Sequence, residues 1–116
     1  MNNISRRNRA VPATPLSSAV SSSGDTTLQA ARAGSTFYIT SVLLQHKDES
    51  NTTTPVNVKL YSGSTQILEA HCNVIDAGLF ATFPPDTELE VTDGNALKIN
   101  LSAAVSVTYS IQGYWQ

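Results

Sequence analysis

The final dozen residues, VSVTYSIQGYWQ, alternate. Val105, Val107, Tyr109, Ile111, Gly113 and Trp115 share one parity; Ser106, Thr108, Ser110, Gln112 and Tyr114 share the other. A period of two belongs to a strand with one face on a core and one towards water. Shorter runs of the same kind recur upstream, and no segment shows the 3.6-residue period of a helix. Such a chain has to bury its apolar side chains between sheets.

Eight candidate strands follow from this pattern. Thr26–Arg32 is the weakest and ends at Gly34. Phe37–His46, FYITSVLLQH, is apolar on both parities, which predicts a strand covered on both faces. Val56, Val58 and Leu60 alternate with Asn57, Lys59 and Tyr61. Gly63 marks a turn. Leu68, Ala70, Cys72 and Val74 alternate with Glu69, His71 and Asn73. Leu79–Phe83 follows the turn at Asp76–Gly78, and Pro84 and Pro85 interrupt it. Leu89 and Val91 oppose Glu88 and Glu90. After Asp93-Gly94, Leu97, Ile99 and Leu101 alternate with Lys98, Asn100 and Ser102. Short strands at this spacing predict an all-β, antiparallel β-sandwich of about eight strands, jelly-roll-like or Greek-key. The closing strand is expected at the centre of a sheet, with Trp115 buried.

Residues 1–24, MNNISRRNRAVPATPLSSAVSSSG, lack a sustained period and are rich in Ser, Asn, Arg and Pro. Such a segment buries too little apolar surface to offset its ordering entropy. It is expected to be an extended arm, disordered when free, ahead of a sandwich domain at 25–116. Fully extended it reaches roughly 80 Å. Charge divides the chain at a similar place: residues 1–36 carry +3 and residues 37–116 carry −5. The acidic body argues against nucleic-acid binding, and Arg6-Arg7-Asn8-Arg9 without interleaved aromatics is a weak signal for it. With Arg6, Arg7 and Arg9 as charge contacts and Val11 and Leu16 as anchors, the arm suits a protein partner better.

No catalytic set is recognisable. His71 and Cys72 are adjacent, so they point to opposite faces of a strand and cannot share a metal. Cys72 lies on the apolar parity and reads as a small buried hydrophobe. Glu88 and Glu90 read as solvated charges guarding an edge strand, with a calcium site as the alternative. The expectation is a non-enzyme with no cofactor and no metal. No apolar run approaches the ~20 residues of a membrane-crossing helix, and residues 1–30 lack the apolar segment of a secretory signal.

The order AGSTFYITSVLLQ (33–45), VNVKLYSGSTQIL (56–68), a glycine-led segment ending in FPP (78–85) and GNALKINLSAAVSVTYSIQGY (94–114) resembles small virion proteins of tailed bacteriophages, above all capsid decoration or cement proteins. The resemblance covers about residues 24–116 and excludes the arm. It implies a β-sandwich, often a homotrimer, on the outer surface of the phage head, with the major capsid protein as partner. The family carries no catalytic residues. Tyr114 and Trp115 are expected at a subunit or core seam. The alternative is a phage tail, fibre or head-fibre module binding a host-surface glycan through Tyr38, Tyr61, Tyr114 and Trp115.

Overall fold

A computed structural model describes residues 11–116. Ten strands run through them: β1 (Val11–Pro12), β2 (Leu16–Val20), β3 (Gly24–Gln29), β4 (Phe37–His46), β5 (Val56–Ser62), β6 (Thr65–Cys72), β7 (Gly78–Thr82), β8 (Leu89–Val91), β9 (Leu97–Leu101) and β10 (Val107–Trp115). One sheet places β10 and β4 at its centre, with β1 and β2 along the outer side of β10 and β7 and β8 along the outer side of β4. The other sheet has the order β3-β9-β5-β6.

The pairings nest. β5 pairs β6, β4 pairs β7 and β8, β3 pairs β9, and β2 pairs β10, all antiparallel. The chain is therefore one long folded-back ribbon, rolled so that its successive pairs alternate between the two sheets. That is a jelly roll. β10 against β4 and β9 against β5 close the roll. The antiparallel sandwich is as the alternation predicts. Trp115 lies near the end of a central strand.

The core is filled from both sheets. Phe37, Ile39, Val42, Leu44, Val107 and Ile111 meet Val56, Val58, Leu60, Leu97, Ile99 and Leu101, each at most 1% exposed. Trp115 packs its ring on Phe37, with centroids 5.1 Å apart, and Arg32 lies over the indole.

β4 departs from its expected environment. Its inward residues are Phe37 and Ile39, then Val42, Leu44 and His46. Gln112 pairs with Ser41 and Gly113 with Ile39, so Thr40 is an extra residue in the ladder. This β-bulge switches parity. The strand is apolar on both parities because each supplies half of one inner face. Its outward side chains, Tyr38, Ser41, Leu43 and Gln45, are only half-buried. Opposite the bulge, a Cβ on Gly113 would lie 2.3 Å from the Tyr38 carbonyl oxygen and 2.8 Å from Phe37 Cζ. Glycine lets β10 approach this closely.

β1 and β2 fall inside the segment expected to form an arm. Leu16 pairs with Ile111 and Val20 with Val107, and both side chains pack on the core. With β2 and β1 in place, β10 is hydrogen-bonded on both sides. Val74, expected on the buried parity, lies beyond the end of β6 and is 47% exposed.

Trp115→Ala is expected to cost about 3–5 kcal/mol, as large aromatic truncations in cores do. Urea unfolding followed by circular dichroism reads this as a lowered midpoint with an unchanged slope.

Candidate functional site

Polar chemistry collects at the two ends of the roll and on the outer faces. At one end, β4 finishes in His46, which is fully buried. The Asp48 N–H donates to its Nδ1 (3.3 Å), so the other ring nitrogen, Nε2, carries the hydrogen and donates to the Thr54 carbonyl (3.0 Å). The ring closes the base of the 47–55 loop. Asp48 holds the rest: its carboxylate accepts from the backbone N–H groups of Ser50, Asn51 and Ser106 and from the Asn51 amide. Lys47 adds an ion pair to Asp76 of the neighbouring loop. These groups fasten three connections together, through backbone groups and through the Asn51 and Asp76 side chains.

The Ser106 N–H, then the Asn51 side chain, hold the Asp48 carboxyl below its ordinary value of 3.8. A depressed folded-state pKa gives stability that is present above the unfolded pKa and lost as pH falls through the folded one. Asp48→Asn is therefore expected to flatten the acid limb. Urea midpoints at about pH 5 and about pH 3 should differ less in the variant than in the wild type.

The outer face of the β3-β9-β5-β6 sheet is polar. His71 Nδ1 donates to Asn57 Oδ1 (2.6 Å), Asn100 donates to Asp25 (2.7 Å), and Lys59 stands 4.0 Å from Glu69. His71 is exposed while Cys72 is buried, on opposite faces of β6. Burial raises the Cys72 thiol pKa. Among the described residues no three His, Cys, Asp or Glu side chains are placed to share a metal ion, and no ligand-sized cavity opens.

The other outer face carries an aromatic and acidic platform at the end where β4 begins and β10 finishes. Tyr114 alternates with the core residue Trp115 and so points outward. It stacks on Tyr38 of β4, with centroids 5.3 Å apart and planes 24° apart. Its hydroxyl donates to Glu88 Oε2 at 2.8 Å. Glu90 pairs with Tyr38 across β8 and β4 and is exposed. Glu88 is not the solvated charge expected from its parity: it is 7% exposed, and Tyr114 5%. The phenol reaches across the sheet and brings the carboxylate into hydrogen bonding, the condition for keeping such a group from water.

The residues expected to make contacts are distributed as follows. Trp115 is in the core, and Tyr114 is on the platform. Val11 is half-exposed on β1, opposite Trp115. Leu16 is packed against the core. Arg6, Arg7 and Arg9 lie outside the described residues. The Glu88–Tyr114 bond joins residues 26 apart in sequence. The period-two pattern names their faces but not that contact.

No family model matches this chain, and a search of curated proteins returns no match.

Proposed function

We propose that the protein is a non-enzymatic structural component of a virion that decorates or cements the outer surface of a phage head. The observation that carries this reading is the tightly filled jelly roll, whose buried and loop-end polar groups are committed to one another and to its own loops. A body built this way acts through its surface. Jelly rolls serve both viral capsid and lectin domains, so the fold is an analogy that suits both proposed readings. The aromatic side chains separate them. Sugar stacking needs several open aromatic faces together, but Trp115 and Tyr114 are buried and Tyr38 is stacked on Tyr114, which leaves Tyr61, half-buried on the other sheet, as the remaining one of the four. This favours decoration over glycan binding.

The proposed partner is the major capsid protein. Arg6, Arg7 and Arg9 supply charge, and Val11 supplies an apolar contact on the exposed edge. Leu16 is occupied by the core and is not one of the contacts. A C3 trimer suits three-fold positions on a shell. Phe80, 69% exposed on edge strand β7 and paired with Leu43, is the proposed protomer contact. Many copies, each held weakly, would strengthen a shell through multivalency.

Deletion of residues 1–10 tests the reading without removing β1 or β2. The truncated protein should stay folded, with a single cooperative urea transition, and lose occupancy on purified heads. Unchanged occupancy would remove the arginines from the contact. Copy number in purified particles separates the alternatives, with hundreds of copies on heads expected for decoration and a few at a tail or vertex for a glycan-binding module.

A further inference from the structure

We propose that the outer edge of β6 is a self-association surface, on which a second copy of this chain adds its own β6 antiparallel, about a two-fold axis at Ala70.

The sheet edges differ in how they are protected. Among the described residues β6 is paired with β5 alone and ends its sheet. The other edges are interrupted. Proline stands in β1 at Pro12 and ahead of β2 at Pro15. β3 carries a bulge between Thr27 and Gln29. β7 and β8 are short, with Pro84 and Pro85 between them. Such devices keep a sheet edge from pairing with another chain. β6 runs for 8 residues, TQILEAHC, without proline, glycine or lysine. Its bulge at Ile67 leaves residues 68–72 regular.

The ladder shows which peptide groups this edge presents. The Asn57 N–H donates to Ser102 Oγ (2.8 Å), and its carbonyl accepts from the Ser102 N–H (3.1 Å), so Asn57 is turned towards the β9 side. Peptide groups alternate along a strand. Val58 is therefore turned towards β6 and Lys59 towards β9. Ala70 lies opposite Val58 and bonds to it. His71 lies opposite Asn57 and Glu69 opposite Lys59, so the N–H and C=O of both are turned away from β5, to the edge.

These groups are symmetric about Ala70. An antiparallel copy with its axis there sets Glu69 against His71 of the second copy, and His71 against Glu69 of the second copy. Each pair exchanges both N–H···O bonds. The side chains follow the same register. Glu69 and His71 lie on the outer face, 31% and 62% exposed, and the axis at Ala70 places a carboxylate beside an imidazole in both pairs. An axis one residue earlier sets carboxylate against carboxylate, which is unfavourable. One residue later sets imidazole against imidazole. The complementarity is of the edge with itself, which makes a second copy the occupant. So short a seam buries less than the ~1,200 Å² of stable complexes, and the association is weak and concentration-dependent. It uses the backbone of β6 and stands apart from the three-fold contact proposed at Phe80.

Light scattering after size exclusion, on the full chain from about 10 µM to about 1 mM, tests the pairing. The mass should rise from one chain towards two. His71→Pro removes a donor from the edge and none from the β5 ladder. His71→Glu sets carboxylates opposite each other and serves where the proline variant fails to fold. Each should weaken association at least about tenfold. Glu69→His with His71→Glu restores acid opposite imidazole about the same axis and should recover most of the loss. A one-chain mass throughout, a mass unmoved in the folded single variants, or no recovery in the exchanged pair overturns the proposal. A three-chain mass unmoved by these changes also overturns it, and leaves the three-fold reading standing.

Discussion

The pairing of β10 with β4 is the constraint on which the other features depend. It joins residues about seventy positions apart and closes the rolled ribbon along the middle of one sheet. Local hairpins can form without it, but the sandwich cannot. Such a non-local closure makes folding slow relative to its stability, because the loop entropy is spent before the contacts reward it. The bulge at Thr40 tunes the closure. It lets Phe37 and Ile39 share an inner face with Val42 and Leu44. It also brings β10 close enough at Gly113 for Trp115 to settle on Phe37.

The bulge also shows where sequence reading stops. β5, β9 and β10 alternate cleanly, and their inward residues are the ones the pattern names. β4 alternates twice, in opposite phase, and a bulge within an apolar run leaves the same trace as a strand covered on both faces. Only the partner strand, with one residue fewer, distinguishes them. β2 was hidden for another reason. An edge strand that buries only Leu16 and Val20 at its two ends, LSSAV, carries too little apolar signal to stand out from a polar tail. Its pairing comes from the unfilled side of β10, which no local pattern reports.

The polar sites divide in the same way. That His71 and Cys72 face apart was readable from adjacency alone. The burial of Glu88 was not, because it depends on Tyr114, brought alongside by the β10–β4 ladder. Asp48 was equally hidden, since Ser106 approaches it only after the roll has closed. In both cases the ionisable residue lies on or beside a strand end, and its partner arrives from the far end of the chain. Side chains that look like surface charges in sequence become fasteners when topology delivers a donor.

The two ends of the roll consequently differ in what they can do. At the His46 end, carboxylate, imidazole and ammonium groups bind their own loops, so a partner there would have to break structure to gain contacts. At the Trp115 end the polar groups lie on the face of the sheet, beside the strand from which the basic segment departs. The stacked phenol pair and the buried Glu88 carboxylate cost little side-chain entropy to engage, because packing already fixes their rotamers.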